Sequence, residues 1–318
     1  MKDSTDATTL TVGLVQMTCT EEPEANVERA VRGVREAAGR GARVICLQEL
    51  FGMQYPGQTE DAERFDLAEP IPGPTTEKLS PLAAELNCVL VVPLFERRAP
   101  GVFHNTTAVI DADGKLLGVY RKMHIPDDPL YYEKYYFAPG DTGFRSFRTR
   151  HGCIGVLVCW DQWFPEAARL TALTGAQVIF YPTAIGYTTP DPVIAYTTQR
   201  KKPEPEFEMS DRHYFDAWQT VQRGHAVANG CYVAVLNRVG YEKSANANAP
   251  KDEGIKFWGR SFVAGPLGEM LAEAGDGEEV LVAECNLEYL EQVRRLWPLL
   301  RDRRVDAYGP LTKRWIGS

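Results

Sequence analysis

Short apolar runs alternate with amphipathic stretches along most of the chain. Runs of this length without polar alternation are typical of strands that are buried on both faces, as in sheets covered by helices. Between Asn26 and Gly39, apolar side chains recur at helical spacing, and the closing glycine favours a helix end. The pattern therefore predicts an α/β protein. The predicted strands are Leu10–Met17, Arg43–Leu47, Cys88–Leu94, Cys153–Cys159, Gln177–Pro182 and Cys231–Asn237, and the further helices are Thr75–Leu86, Pro165–Leu173 and Tyr214–Asn229.

The order of the predicted elements repeats along the chain. In each half, three strands alternate with helices and are followed by a hairpin, over Thr106–Tyr120 and Ser261–Ala272. Two mixed sheets, each covered by helices on one face and packed against each other, would bury all of these runs. We therefore predict a four-layer α-β-β-α sandwich built from two similar halves. Because no linker separates the halves, residues 10–318 are predicted to form one domain with a C-terminal extension, after a flexible tail over residues 1–9.

Three polar stretches interrupt this pattern and are predicted to be loops. They are Gln54–Ala62, His124–Gly143 and Gly186–His213, of which the last is the longest and carries four prolines. Loops of this length in a compact chain often form lids or the walls of a site.

Composition narrows the class of protein. The chain has 318 residues with 44% hydrophobic and 25% charged residues, which is ordinary for a globular protein and excludes a disordered one. Its net charge of −8, without a long basic run, makes nucleic acid and anionic membranes poor partners. The first residues resemble no secretory signal, no apolar run is long enough for a membrane span, and the seven cysteines show no disulfide spacing. A cytoplasmic protein with reduced thiols is therefore predicted.

Three chemically complementary residues follow predicted strands. Glu49 follows the strand Arg43–Leu47, Lys122 follows the first hairpin, and Cys159 closes the strand Cys153–Cys159. Ligands of open α/β sheets bind beyond the carboxyl ends of strands. A thiol there serves as a nucleophile, a carboxylate takes its proton, and an ammonium stabilises an oxyanion.

Each of these residues also has a simpler interpretation. A cysteine that ends an apolar strand is usually an inert buried thiol, and a single glutamate or lysine is usually a solvated charge. Cys159 differs from the other cysteines because a turn before the helix at Pro165 is expected to expose its side chain and to lower its pKa. A Cys–His hydrolase with His124 or His225 as the base is an alternative without a supporting motif. The histidines show no metal-ligand spacing and the glycines no nucleotide fingerprint, so no metal or cofactor is predicted.

Three blocks of the sequence resemble the motifs of the nitrilase superfamily of carbon–nitrogen hydrolases. The blocks occur in the superfamily's order and spacing, and the resemblance extends from about Thr11 to near the C-terminus. They are Leu47-Gln48-Glu49-Leu50-Phe51, Tyr120-Arg121-Lys122-Met123-His124-Ile125-Pro126 and Val158-Cys159-Trp160-Asp161.

This resemblance implies the α-β-β-α fold and a Glu–Lys–Cys triad. It makes Glu49 the general base, Lys122 the oxyanion stabiliser and Cys159 the nucleophile. Glu133 matches a second glutamate near the thiol, and the Trp160 backbone N–H would complete the oxyanion hole. The resemblance also implies a homodimer or larger homo-oligomer, and no metal or cofactor. The predicted substrate-binding residues are Trp160, Tyr55, Tyr131, Thr183 and Tyr187.

Further stretches make the chain, within the superfamily, most similar to N-carbamoylputrescine amidases. They are Tyr131-Tyr132-Glu133-Lys134-Tyr135-Tyr136-Phe137, Pro139-Gly140-Asp141-Thr142-Gly143-Phe144, Cys159-Trp160-Asp161-Gln162-Trp163-Phe164-Pro165-Glu166-Ala167-Ala168-Arg169, Tyr181-Pro182-Thr183-Ala184-Ile185-Gly186 and Arg301-Asp302-Arg303-Arg304. The resemblance implies hydrolysis of N-carbamoylputrescine to putrescine, ammonia and carbon dioxide through a thioester, as in polyamine biosynthesis. Two alternatives remain open. One is an amidase for another N-carbamoyl compound or an aliphatic amide, and the other is a catalytically silent binding protein that keeps the fold.

The segment Tyr187–His213 departs from the amidases in length and composition. It contains groups that suit an ammonium and others that suit an anionic substrate such as N-carbamoyl-β-alanine. The first group is Tyr187, Asp191, Tyr196, Glu204, Glu206, Glu208 and Asp211, and the second is Arg200, Lys201 and Lys202. Because the net charge of −8 favours a cation, N-carbamoylputrescine is predicted to be the better substrate, with this segment as a wall or lid of the pocket.

Overall fold

The computed structural model describes residues 8–189, 211–246 and 249–317. The strands are β1 (Thr9–Gln16), β2 (Val44–Leu47), β3 (Val89–Ala99), β4 (Val102–Ile110), β5 (Leu116–Arg121), β6 (Ser146–Thr149), β7 (Gly152–Val156), β8 (Val178–Thr183), β9 (Gly186–Thr189), β10 (Tyr232–Asn237), β11 (Val239–Lys243), β12 (Gly254–Trp258), β13 (Phe262–Ala264), β14 (Met270–Glu273) and β15 (Glu279–Asn286). The α-helices are α1 (Pro23–Gly39), α2 (Pro74–Leu86), α3 (Glu133–Tyr136), α4 (Pro165–Leu173), α5 (Asp211–Asn229) and α6 (Leu287–Leu296).

Two six-stranded sheets have the same internal arrangement. The first has the order β15-β1-β2-β3-β4-β5 and the second, read from its other edge, the order β6-β7-β8-β10-β13-β14. In each sheet the second, third and fourth strands are parallel, and the remaining neighbours are antiparallel. The two halves predicted from the repeated element order are therefore confirmed, and β1 is the counterpart of β7.

Alternate side chains along the strands face different layers. In β1, Val12 and Leu14 belong to the core between the two sheets, together with Val156 of β7. Val15 belongs instead to the core between the first sheet and its helices. At Gly33 of α1, a Cβ atom would lie 2.3 Å from a methyl carbon of Val15, so glycine permits the close approach of helix and strand. This layering confirms the predicted α-β-β-α sandwich.

The structure differs from the predicted elements at several boundaries. The predicted strand Cys153–Cys159 ends at Val156, and Cys159 begins a 3-10 helix that continues to Trp163. The predicted loop Gly186–His213 begins with β9, which pairs with β12 in a small third sheet of order β11-β12-β9. Periodicity did not reveal β9 because its four residues are fewer than a pattern needs and its partner lies far along the chain. Residues 190–210 of that predicted loop lie outside the described residues.

The 3-10 helix at Cys159 leads directly into α4. Pro165 occupies the first turn of α4, where a missing backbone N–H costs no hydrogen bond. The predicted loop His124–Gly143 contains the short helix α3, which begins at Glu133. Of the helices that the structure describes, none is both long and apolar enough to cross a membrane.

Candidate active site

The four predicted catalytic residues meet in one buried cluster. Glu49 follows β2, Lys122 follows β5, Cys159 follows β7, and Glu133 is the first residue of α3. Lys122 Nζ lies 2.9 Å from Glu49 Oε1 and 2.6 and 2.8 Å from the two carboxylate oxygens of Glu133. The side chains of Glu49, Lys122 and Glu133 have no exposed surface, and Cys159 is 4% exposed. The structure therefore brings together residues separated by more than 100 positions.

Residues of the described part of the chain hold Glu49 at one carboxylate oxygen. Its Oε1 accepts hydrogen bonds from Lys122 Nζ and, at 2.7 Å, from Asn105 Nδ2. Within the described residues, the buried Glu49 Oε2 has no hydrogen-bond partner. A buried carboxylate oxygen without a donor is poised to accept a proton.

The cluster carries an excess negative charge when its carboxylates and its ammonium are ionised. Burial raises the pKa of Cys159 well above its usual range, and the charge of Glu49 raises it further, whereas Lys122 lowers it. Burial by itself lowers the pKa of Lys122, but the charges of Cys159, Glu133 and Glu49 raise it above its ordinary value. Burial also raises the pKa of Glu133. Lys122 is thus cationic, and Cys159 is a neutral thiol until a nearby base takes its proton.

Two expectations about Cys159 are wrong. The thiol is buried rather than exposed, and its pKa is raised rather than lowered, because loss of hydration outweighs the favourable contribution of Lys122. Its Sγ makes a 3.8 Å contact with the backbone oxygen of Ala184. The free thiolate is therefore formed only together with a proton transfer inside the cluster.

Asp161 holds the turn that carries Cys159. Cys159 has a φ of +43°, in the left-handed region that non-glycine residues rarely occupy. The buried Asp161 carboxylate accepts hydrogen bonds from the Val158 backbone N–H (2.9 Å), the Tyr120 hydroxyl (2.7 Å) and the His124 backbone N–H (3.0 Å). It therefore ties the Cys159 turn to the strand that precedes Lys122. Asp161 lies within a motif block, but nothing in the sequence indicated this role.

A buried ion pair holds the loop that follows Glu49. The Arg238 guanidinium donates to the backbone oxygens of Leu50 and Met53, each at 2.7 Å, and to the Glu242 carboxylate. Glu242 in turn accepts the Tyr55 backbone N–H at 2.6 Å. Sequence reasoning missed Arg238 and Glu242 because they belong to the other half of the chain and to no motif block.

The predicted substrate-binding residues occupy different surroundings. The Tyr55 hydroxyl donates to Glu133 Oε1 at 2.5 Å, so Tyr55 belongs to the same buried cluster as Glu133 and Lys122. The Tyr131 ring lies 5.6 Å from that of Tyr55, and its hydroxyl contacts the backbone of Gly186. The Thr183 hydroxyl, at the end of β8, donates to Gln162 Oε1 at 3.1 Å. Substrate contacts of these residues stay predictions.

The other two predicted substrate contacts are partly exposed aromatic residues. Trp160 packs edge-on against Trp163, with ring centroids 6.4 Å apart. As the second residue of its 3-10 helix, it occupies a position where backbone N–H groups lack partners within the helix, as an oxyanion hole requires. Tyr187 of β9 lies against Trp258, with ring centroids 5.2 Å apart.

The Cys–His alternative finds no support in the geometry. A ring nitrogen of His124 lies 2.7 Å from Asp161 Oδ1, and one of His225 lies 2.8 Å from the Gln162 backbone oxygen. Both histidines are thus engaged by groups other than the thiol. Within residues 8–189, 211–246 and 249–317, no group of three His, Cys, Asp or Glu side chains is arranged to hold a metal ion.

Comparisons with known proteins agree with this geometry. A family model described as carbon-nitrogen hydrolase matches residues 11–295. An N-carbamoylputrescine amidase of Solanum lycopersicum is 46% identical over 95% of this chain and 94% of its own length, and one of Arabidopsis thaliana is 44% identical over 94% of each. The crystal structure of a carbon-nitrogen hydrolase from Helicobacter pylori G27 is 42% identical, covers 97% of this chain and 100% of its own, and superposes with a TM-score of 0.87. The chain belongs to the carbon–nitrogen hydrolase family, as its resemblance to the nitrilase superfamily predicted.

Proposed function

We propose that this protein hydrolyses N-carbamoylputrescine to putrescine, ammonia and carbon dioxide, with Cys159 as the nucleophile. The observation that carries the proposal is the Lys122 ammonium bridging two buried carboxylates, Glu49 and Glu133, beside a buried thiol. The names of the plant relatives, at 44–46% identity over almost the whole chain, support the choice of substrate.

In the first half of the reaction, a proton moves from the Cys159 thiol to Glu49 Oε2, the oxygen that has no hydrogen-bond partner among the described residues. The transfer leaves the total charge of the buried cluster unchanged, which avoids the cost of a second uncompensated charge. The thiolate attacks the ureido carbonyl carbon, and the carbonyl oxygen of the substrate becomes an oxyanion. Ammonia then leaves with the proton held by Glu49, and the carbamoyl carbon stays bonded to sulfur as a thioester.

Lys122 and the Trp160 backbone N–H stabilise the oxyanion in this scheme. An ammonium has three N–H groups, and the contacts of Lys122 go to one oxygen of Glu49 and both oxygens of Glu133. Opening one of the two contacts with Glu133 frees a donor while the second contact still holds the lysine. Glu133 thereby keeps Lys122 positioned throughout the reaction.

In the second half, water attacks the thioester carbonyl after giving a proton to Glu49 or Glu133. The C–S bond breaks, the thiol recovers its proton, and an alkyl carbamic acid is released. This acid loses carbon dioxide to give the free amine, so one water is consumed for each substrate.

A side-by-side assay tests the choice of substrate. We expect a higher kcat/KM for N-carbamoylputrescine than for N-carbamoyl-β-alanine. The chain's net charge of −8 attracts the cationic compound at long range, and salt screens this attraction, so the difference in kcat/KM should become smaller at high salt. A higher kcat/KM for the anionic compound would contradict N-carbamoylputrescine as the substrate and would leave the Glu–Lys–Cys mechanism intact. Absence of ammonia release from both compounds and from a panel of small amides would favour the silent binding protein.

The segment Tyr187–His213 is predicted to be a wall or lid of the substrate pocket. Most of this segment, residues 190–210, lies outside the described residues. We propose that trimming this segment changes KM and selectivity more than the chemistry at Cys159. The same two-substrate assay, applied to the intact and the trimmed protein, tests it. Equal changes in kcat for both substrates, with unchanged KM values, would contradict this role.

We also propose that the protein acts in the cytoplasm as a homodimer or larger homo-oligomer, with residues 10–318 as one domain. The C-terminal segment after α6 supports self-association, because its large apolar side chains are far more exposed than is usual. Trp297, Leu311, Trp315 and Ile316 are 62, 66, 80 and 72% exposed. Light scattering should give a mass of at least twice 35.5 kDa, and removal of residues 297–318 should lower it.

A further inference from the structure

Asn105 contacts both Glu49 and Lys122 from a fixed position in the first sheet. It is the fourth residue of β4, is fully buried, and lies opposite Phe95 of the neighbouring strand β3. Its side-chain Nδ2 donates to Glu49 Oε1 at 2.7 Å, and its backbone oxygen accepts the Lys122 backbone N–H at 2.9 Å. One residue of an interior strand therefore holds the carboxylate through its side chain and the lysine through its main chain.

Charge sets the orientation of the Asn105 amide. An ionised carboxylate only accepts hydrogen bonds, so the NH2 end of the amide faces Glu49 and the amide oxygen points elsewhere. This oxygen, Asn105 Oδ1, is buried and has no hydrogen-bond partner among the described residues. A buried amide oxygen without a donor lowers stability, and such a group in a native structure needs an explanation. The contact with Glu49 provides one, because hydrogen bonds to ionised groups are among the strongest in proteins.

Two donors at Glu49 Oε1 restrict the rotation of the carboxylate. The terminal torsion of a glutamate side chain is broad, so a single hydrogen bond leaves the group free to turn. Lys122 by itself offers its ammonium equally to either oxygen. Lys122 Nζ at 2.9 Å and Asn105 Nδ2 at 2.7 Å together hold Oε1 at two points. The other oxygen, Oε2, stays without a partner in the described part of the chain, and its position is fixed by the same two contacts.

We propose that Asn105 is a positioning residue, which keeps Glu49 Oε2 unoccupied and in place to take the proton of Cys159. Asn105 acts through Glu49 and not through a contact with the substrate. The proposal rests on the proposed function for the role of Glu49 as the base, and it applies to any amide that acylates Cys159. Displacement of a reacting group by about 1 Å lowers a rate by about 10²-fold, which sets the scale of the expected effect.

Asn105→Ala is the first test, because it removes one of the two donors at Glu49 Oε1. We expect kcat for N-carbamoylputrescine to fall about 30-fold while KM stays within about threefold, since the lost contact is with the base. Loss of a group that binds the substrate directly would raise KM instead. A large rise of KM with little change in kcat would therefore overturn the positioning role of Asn105.

Asn229→Ala is the matched control. Asn229, the last residue of α5, is also buried, and its Nδ2 donates to a single oxygen, that of the His225 backbone at 2.9 Å. Its Oδ1, like that of Asn105, has no partner within the described residues. Both variants lose the same atoms, so we expect similar falls in melting temperature, and a fall in kcat in Asn105→Ala alone. Equal losses of kcat in the two variants would reduce Asn105 to a packing residue.

Asn105→Asp adds a pH dependence that lost packing cannot produce. The introduced carboxyl group donates to Glu49 Oε1 when it is protonated and repels Glu49 when it is ionised, and Lys122 keeps the negative charge on Glu49. The ratio of its kcat to that of the unmodified protein should therefore be within about threefold of one at low pH and should fall about 30-fold as the pH rises. A ratio that does not change with pH would contradict the proposal. The other titratable and charged groups that interact with Glu49 are shared by both proteins and cancel in the ratio; they are Tyr55, Lys122, Tyr131, Glu133, Cys159 and Arg238.

Alkylation of Cys159 by iodoacetamide distinguishes failure of the positioning role from failure of the proposed function. The reagent needs the thiolate but no carbamoyl substrate, so its rate reports the proton transfer from Cys159. Mass spectrometry of the Cys159 peptide should show alkylation about 30-fold slower in Asn105→Ala and within about twofold of the unmodified rate in Asn229→Ala. If alkylation slows in this way but the unmodified protein does not hydrolyse N-carbamoylputrescine, the proposed substrate is wrong and the role of Asn105 stands. If hydrolysis is found but neither kcat nor alkylation depends on Asn105, the positioning role is wrong and the proposed function stands.

Discussion

Cys19 and Cys159 lie at equivalent places in the two halves of the molecule. Cys19 is the third residue after β1, which ends at Gln16, and Cys159 is the third after β7, which ends at Val156. Both thiols are buried, and burial raises the pKa of both, that of Cys19 to about 11. Charges of both signs act on each thiol: those of Arg238, Glu242 and Arg29 on Cys19, and those of Glu49, Lys122 and Glu133 on Cys159.

The difference between the two thiols lies in what remains unbonded around them. The Gln48 amide donates to Cys19 Sγ at 3.3 Å and accepts the Met17 backbone N–H at 2.9 Å, and an amide does not act as a base. Arg238 is occupied by backbone oxygens and by Glu242. At Cys159, by contrast, Glu49 Oε2 has no partner within the described residues. A strand-end thiol becomes a candidate nucleophile only where a carboxylate keeps one oxygen free.

Removal of the two thiols should therefore have opposite consequences. Cys159→Ala should lower kcat by about 10⁴-fold or more and leave the protein folded, since it removes the attacking atom. Cys19→Ala should keep kcat within about twofold and cost about 1 kcal/mol of unfolding free energy through lost packing. Steady-state ammonia release and denaturant titration measure both. Residual turnover near the original rate in Cys159→Ala would show that another group is the nucleophile.

Glu133, which pairs with Lys122 near Cys159, and Glu242, which pairs with Arg238 near Cys19, extend the comparison of the two thiols. Glu133→Gln should lower kcat by about 10²–10⁴-fold. Its melting temperature should change little, because the loss removes the excess negative charge of the cluster and leaves Lys122 paired with Glu49. Glu242→Gln should instead destabilise the protein by about 3 kcal/mol, since Arg238 loses its ionic partner while fully buried.

Glu133→Gln also decides between two interpretations of that residue. In the first interpretation, Glu133 forms an exposed salt bridge with Arg121 or Lys134, which would contribute little to stability. The structure instead pairs Glu133 with Lys122. Arg121 pairs with Glu96 at 2.6 Å, and Lys134 lies 4.0 Å from Asp127. Turnover of Glu133→Gln close to that of the unmodified protein would remove Glu133 from the mechanism despite this geometry.

A smaller effect is expected from the hydroxyl that supports Glu133. Tyr55→Phe removes the hydrogen bond to Glu133 Oε1 and should lower kcat about tenfold with little change in KM, since one neutral donor to a charged group is lost. The matched control is Tyr241→Phe, whose hydroxyl donates to the Asp252 backbone oxygen at the surface and whose loss should not alter kcat. Equal effects of the two changes would argue against a role of Tyr55 in the cluster.

The sequence predicted the layers, the two halves and the four residues that meet in the candidate site, but by different means. Strand ends and complementary chemistry indicated Glu49, Lys122 and Cys159, whereas only the family resemblance indicated Glu133. Burial of Cys159 was not predictable from its own segment, because the chain that covers it comes from other elements. Arg238 lies 189 positions from Glu49 in the chain and still donates to its backbone oxygen. Such a contact follows from the packing of the two halves and leaves no local pattern in the sequence.

Mass spectrometry of protein quenched in acid during turnover of N-carbamoylputrescine tests the central claim most directly. The account predicts one acyl group per chain, carried by the peptide that contains Cys159 and absent from the peptide that contains Cys19. The same adduct should be missing from Cys159→Ala. Turnover with the acyl group on another residue, or an adduct that persists in Cys159→Ala, would contradict Cys159 as the nucleophile.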